Sequence, residues 1–389
     1  MVAYHANMAQ MSGGAEDWQP IESRFTLLCG RIAMIPCSII GQSNSILGTG
    51  FAAKLFGSNQ VKLAKSGRLG GSPSLIAPYF AKGDFMSDAP FCLIDTCIID
   101  YSCVGGQFIS YADIVDAMEW VGHKARMNGS CPIFLILPVE FFIFRDEPFL
   151  RLYRDILERS SHYFLDFRDV AMARFPMDIK DKTGLYRDGA HPGEKLSEAV
   201  AEVLAKFMTD FSRFPQRAMD IEAIVPNYDV INVQQTLRSD NKRIDHCNSM
   251  IEFHGIEIDD AHPAIIEAGN CSRVNGFVAN AARSTSDLSL GDGTFVKSMK
   301  LLPYSNAQLE ARLVPLRARH VSCGDKLRLA ISDGSVRPES TFRSQPEVPG
   351  PAITQISDVI VERGRDHLKY RARIPSPEST NIMDLVRTL

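Results

Sequence analysis

The chain has 389 residues, long for one hydrophobic core and comfortable for two. Hydrophobic residues make up 45% and charged residues 23%, ordinary for a soluble globular protein. A formal net charge of −4, with no basic block, argues against nucleic-acid binding.

The first 24 residues are polar and mixed, with no apolar core of a signal sequence, so no secretory signal is expected. Ile32–Ile40 has the apolar density of a strand, but Pro36 cannot donate to a ladder. The paired part is then Cys37–Ile40 alone, or the strand bulges. Gln60–Ala64 is a short strand candidate followed by a Gly/Ser/Pro loop. Phe91–Asp100 and Pro132–Val139 are apolar runs, as in strands covered on both faces. The apolar stretch Ile133–Phe144 is broken by Pro138 and Glu140 and is too short for a membrane span. Ile109–Asn128 carries helical spacing through Ile114, Met118, Val121 and Ala125. Phe149–Ser160 is a helix candidate and His162–Phe167 a short strand. Glu194–Phe211 puts Leu196, Ala199, Val200, Val203, Leu204, Phe207 and Phe211 on one face, an amphipathic helix preceded by Pro192. Strands alternating with helices predict a parallel sheet covered on both faces.

After Phe211 the texture changes. Phe214-Pro215 and Val225-Pro226-Asn227 read as linker. Short alternating runs follow at Met250–Ile258, Phe277–Ala281, Phe295–Lys300, Leu327–Ile331, Ile356–Val361 and Leu368–Ala372. Turn residues such as Gly291-Asp292-Gly293 and Ser332-Asp333-Gly334 separate several of them, which predicts a β-sandwich or jelly roll. The expected organisation is an α/β domain over 25–213, a linker with first β elements over 214–248, a β-rich domain over 249–375 and a surface tail over 376–389. The nine cysteines are unpatterned and several lie in apolar runs, so they read as reduced, buried thiols of a cytoplasmic protein. His246, Cys247, His254, His262 and Cys271 lack the spacing of a zinc site and read as ordinary residues. Glycine-rich nucleotide loops are absent.

Two segments carry chemistry. Gly41-Gln42-Ser43-Asn44-Ser45 follows the first strand and puts a serine on a tight turn, where open α/β sheets bind ligands. Asp188-Gly189-Ala190-His191-Pro192 puts a carboxylate and an imidazole on one loop before the amphipathic helix. Serine, aspartate and histidine are the parts of a nucleophilic acyl-transfer site. The D-x-x-H-P pattern occurs twice, since Asp259-Asp260-Ala261-His262-Pro263 matches as well. The second copy sits among β-like segments with no such helix after it, so the first copy is preferred.

Residues 28–212 resemble the SGNH (GDSL-type) hydrolase superfamily through these two blocks. The resemblance implies a three-layer, flavodoxin-like sheet with Ser43 as nucleophile, His191 as base and Asp188 as its orienting partner. Gly-Gln-Ser-Asn, with Gln42 where many members have Asp, is similar to the carbohydrate O-acetylesterase branch. Leu69-Gly70-Gly71-Ser72-Pro73 resembles the second block, which implies an oxyanion hole built from the N–H groups of Ser43 and Gly71, with Gly70 and Gly67 as neighbouring candidates. The Ser-Asn-Ser and Gly-Gly-Ser-Pro-Ser wording also resembles SGNH-like proteins of bacterial polysaccharide biosynthesis. Gln42, Asn44 and Arg68 are the expected substrate contacts. The family's third block ends in an asparagine aimed at the oxyanion. Matched to Ile98–Gly106, it leaves Val104 or Gly105 in that place, with Asn44 or Ser102 as substitute donors. The expectation is a serine esterase acting on an O-acylated, O-acetyl-type carbohydrate, with no metal or organic cofactor. An O-acyltransferase using the same triad, or a non-catalytic scaffold binding glycan or a protein partner, is the alternative. The sugar, the acyl group and the oligomeric state are left open.

Overall fold

The computed structural model describes residues 34–81, 85–86, 89–143, 147–181, 184–214, 216–248, 251–271, 273–284, 287–291, 296–300, 309–316, 325–333 and 351–375. The start of the expected α/β domain, the tail over 376–389, and residues Asp292-Gly293 and Gly334 of the expected turns lie outside the described residues.

Five strands form a parallel sheet in the order β2-β1-β3-β4-β5: β1 Ile35–Gly41, β2 Val61–Arg68, β3 Phe91–Asp95, β4 Cys131–Ile136 and β5 Tyr163–Asp166. Strands β3 and β4 are buried at every residue, as apolar runs without alternation require. Pro36 stays in register with Lys62, and the irregularity falls between Cys37 and Ile39. Helices Phe51–Gly57, Tyr111–Met127, Pro148–Arg159 and Glu194–Thr209 accompany the sheet. Tyr111–Met127 begins in a capping box, where the Ser110 hydroxyl accepts from the Asp113 N–H and the Asp113 side chain accepts from the Ser110 N–H. The predicted apolar face of Glu194–Thr209 is buried from Leu196 to Phe207.

One apolar run divides differently from the expectation. Phe91–Asp100 is strand only to Asp95, and Cys97–Gly105 is a helix. The segment Val225-Pro226-Asn227, read as linker, lies inside β8, a strand over Gln216–Asn232. Pro226 pairs with Arg365 beside a bulge, where a missing N–H is tolerated.

The remaining strands make two antiparallel sheets. One runs β15-β12-β17-β10-β9 with β8 on β17, and the other β11-β16-β13-β14. Their ranges are β9 Arg243–Cys247, β10 Glu252–Asp259, β11 Ala264–Glu267, β12 Arg273–Asn280, β13 Asp287–Gly291, β14 Val296–Lys300, β15 Ala311–Pro315, β16 Lys326–Ile331 and β17 Ile353–Pro375. Ile256, Phe277 and Val359 of the first sheet share one buried cluster with Ile266, Leu290 and Leu329 of the second. The two sheets therefore pack face to face over a common core.

The ribbon β8–β17 also packs on the α/β half. Trp120 meets Tyr228 edge to face, Arg365 grips Asp116 through both terminal guanidinium nitrogens, Nη1 and Nη2, at 2.7 Å, and the Tyr370 hydroxyl lies 2.6 Å from His123 Nδ1. Among the described residues no helix is long and apolar enough to cross a membrane. Cys37, Cys92, Cys97, Cys103 and Cys131 are buried free thiols, as expected. Cys247 is exposed and Cys271 is disulfide-bonded, which corrects the expectation for both.

Candidate active site

Strand β1 ends at Gly41, and the chain turns at once into a short helix, Ser43–Ile46. A Cβ on Gly41 would stand 2.2 Å from Ser45 Oγ, so only glycine lets this turn close. The turn sits between the ends of two neighbours, since Gly41 pairs with Arg68 of β2 and with Asp95 of β3.

The Asp-x-x-His segment is a small hairpin, β6 Tyr186–Asp188 against β7 His191–Pro192. Asp188 Oδ1 accepts from the Ala190 N–H at 2.9 Å, and His191 Nδ1 lies 2.7 Å from the same oxygen. His191 Nε2 then reaches Ser43 Oγ at 2.9 Å, across 148 residues of sequence. Partial burial pushes the Asp188 carboxyl up, but the Ala190 N–H and the His191 ring outweigh it and hold the group below its ordinary value. A carboxylate that stays ionised is what fixes Nδ1–H as the donor and leaves Nε2 free to face the serine. Asn44 ties the two segments together by donating to the Ala190 carbonyl at 3.4 Å.

Behind the serine lies a support that sequence reasoning missed. Asp95 is 1% exposed, and burial lifts its carboxyl to about 6 against hydrogen bonds from Ser45 and Gln42. Ser45 Oγ donates to it at 2.5 Å and Gln42 Nε2 at 3.5 Å. An ionised carboxylate only accepts, so Gln42 must turn its nitrogen to Asp95 and its oxygen to Ser43. Gln42 Oε1 is accordingly 2.5 Å from Ser43 Oγ. The single Ser43 hydroxyl hydrogen thus has two acceptors in reach, Gln42 Oε1 and His191 Nε2. Gln42 is fully buried, which corrects its assignment as a substrate contact: its place at the strand end turns the side chain inward. Asn44 is only 2% exposed, and its Oδ1 is buried without a hydrogen-bond partner among the described residues.

The third-block alignment is also corrected. The position beside Ser43 is the end of β3, so the stretch that meets the serine turn is Asp95-Thr96-Cys97. Val104 and Gly105 lie at the far end of the following helix, about 10 Å further along at 1.5 Å per residue. Ser102 donates to Ile98 O within that helix and is no substitute oxyanion donor. The asparagine is absent at either alignment. Asp100 is buried and accepts from the Ser74 N–H and Oγ–H, and burial lifts it to about 6.

The Gly70-Gly71 loop leaves the end of β2, next to β1. Gly71 has φ +68, a conformation that favours glycine, and a Cβ there would stand 3.0 Å from Arg312 Nη1. Arg312 comes from β15, and its Nε donates to Glu310 at 2.8 Å. No local signal in the sequence connects these residues to the serine turn. A cleft of about 200 Å³ opens here, lined by Arg68, Leu69 and Gly70 on one side and Ile251, Leu309 and Glu310 on the other. The second dyad, Asp259 with His262 Nδ1 at 2.8 Å, is exposed and forms no bond to a serine among the described residues.

No family model and no curated protein sequence matches the chain. Solved structures do. An acetyl xylan esterase matches at 13% identity and TM-score 0.36, covering 43% of this chain and 96% of its own. A GDSL-like lipase from Bacteroides thetaiotaomicron matches at 11% identity and TM-score 0.34, covering 49% and 98%. A two-domain esterase active on acetylated mannans, crystallised with mannopentaose, matches at 11% identity and TM-score 0.57, covering 89% of this chain and 96% of its own. The parallel sheet and the β-rich half together therefore have the fold of a two-domain esterase.

Proposed function

We propose that the protein is a serine-dependent carboxylic ester hydrolase that removes acetyl groups from an O-acetylated carbohydrate. The observation that carries the reading is the 2.9 Å approach of Ser43 Oγ to His191 Nε2. The Asp188–His191 pair is encoded locally, but a serine from a strand end meeting it is a tertiary event. The substrate class is supported by the fold neighbour that acts on acetylated mannans.

In this reading Ser43 Oγ attacks the acetyl carbonyl carbon while its proton passes to His191 Nε2. The carbonyl π electrons move to oxygen, and the N–H groups of Ser43 and Gly71 receive that charge. Collapse expels the sugar oxygen, which takes the proton back from His191. Water then attacks the acyl-enzyme by the same route, giving acetate and free Ser43. Asp188 keeps the ring in the tautomer this needs. Gln42, held by Asp95, fixes the Ser43 rotamer from the other side. Losing one oxyanion donor typically costs about a hundred- to a thousand-fold in rate, so the missing third-block asparagine predicts a slow enzyme unless another donor serves.

The test is covalent labelling with a fluorophosphonate, read by intact mass and peptide mapping. Stoichiometric adduct on Ser43, lost in His191→Ala, is the expected result. A folded protein that takes no label overturns the reading.

A further inference from the structure

Resting on the esterase reading above, we infer that the acetylated carbohydrate is acidic, with Arg68 binding a carboxylate on the sugar chain beside the ester. Arg68 closes β2 next to the serine turn, where Nη1 donates to the Ser45 carbonyl at 2.7 Å and Nε to Ser66 Oγ at 2.6 Å. A guanidinium has five N–H donors, so three remain after these two bonds. Arg68 is half-buried and lines the cleft that starts at Gly70, yet among the described residues it pairs with no carboxylate. Burial lowers its pKa, and among the described residues no neighbouring charge offsets this. A half-buried cation without an anion is costly, and a ligand carboxylate removes that cost through paired N–H···O bonds.

Among the described residues the facing wall does not compensate the charge. Its carboxylate, Glu310, is engaged by Nε and Nη2 of Arg312. Arg68 and Glu310 are the charged residues among the described lining of the cleft, and Glu310 is already engaged by Arg312, which leaves Arg68 to meet a ligand anion. Ile46, Leu69, Ile251 and Leu309 supply apolar surface for a sugar face. At about 200 Å³ the cleft is smaller than the roughly 300–1,000 Å³ of drug-sized ligand pockets, which suits a sugar unit better than a long acyl chain.

The test compares acetate release from O-acetylated polygalacturonate with release from O-acetylated glucomannan, using the full chain. Wild type should show a kcat/KM at least about tenfold higher on the acidic polymer, with the preference falling as salt rises. Arg68→Gln should bring the ratio near one, mainly through KM, and Arg68→Lys should restore part of it. A wild-type ratio of one or less, a preference insensitive to salt, or a ratio unchanged in Arg68→Gln overturns the inference. The wild-type ratio and its salt dependence stand even if the variants fail to fold. Hydrolysis of p-nitrophenyl acetate separates the two failures. Turnover of that ester without preference for the acidic polymer sinks the acidic substrate alone. No turnover of any ester sinks the hydrolase reading with it.

Discussion

Asp95→Asn should make the fold more stable at neutral pH and not at acid pH. Asp95 is buried at the end of β3, and burial lifts its carboxyl from 3.8 to about 6. That lift corresponds to roughly 3 kcal/mol in favour of the neutral form in the folded chain. The folded state holds this proton more tightly than the unfolded chain does. The associated stability is therefore complete below 3.8 and is lost as pH rises through about 6. Asparagine is neutral throughout. It gives up one acceptor, because its Nδ2 must face either Ser45 or Gln42, a cost of about 1 kcal/mol. The net expectation is a gain of about 2 kcal/mol near pH 7.5 that has vanished by about pH 4.5. Scanning calorimetry of both proteins across that range would show a melting shift of about a few degrees at the upper end. A variant that is destabilised by the same amount at both ends would refute the account of Asp95 as a charge held in the core. The gain would also show that the wild type keeps a costly group behind Ser43, the pattern of enzymes that hold strained groups at active sites.

Other substitutions probe the same reasoning. Asp188→Asn should leave Ser43 in place but lower kcat about a thousand- to ten-thousandfold, because the amide no longer fixes the His191 tautomer; steady-state acetate release checks this. His262→Ala should change neither esterase rate nor stability by more than about 0.5 kcal/mol, because its dyad is exposed and bonds no serine among the described residues. His162 is buried with neither ring nitrogen partnered among the described residues, and burial holds its pKa well below 6.5. Its neutral form is native, so stability is lost as pH falls below the unfolded value, by up to about 1.4 kcal/mol per pH unit. His162→Leu should flatten that loss in melting curves taken from about pH 7.5 down to 5, and an unchanged slope would count against it.

What was legible in the sequence divides by range of interaction. Asp188 and His191 were legible because D-x-x-H-P folds itself. In both copies the first aspartate accepts from the N–H two residues on at 2.9 Å and meets the histidine Nδ1. The local pattern cannot say which copy meets a serine; the choice came from the amphipathic helix that follows. The third block was misplaced for a physical reason. Cys97-Ile98-Ile99 prolongs the apolar run of β3, so hydrophobicity does not mark where the strand stops and the helix starts. Two runs, Ile356–Val361 and Leu368–Ala372, are one strand, β17. The polar stretch between them is a bulge, with Gly364 at φ +112, and not a turn. Arg312 and Asp95 were not legible as site residues, because their relation to Ser43 exists only after distant strands align.

The β8–β17 ribbon has a consequence for the order in which the molecule can be made. β8 leaves the ribosome soon after the parallel sheet is complete, but its partner β17 follows most of the β-rich half. At about 5–20 residues per second, the interval is on the order of ten seconds. Throughout it, Trp120 and His123 lack the Tyr228 and Tyr370 partners that the finished ribbon brings to them. A nascent chain paused in this window presents the uncovered Trp120 ring and an unpaired strand edge together, the combination that chaperones capture.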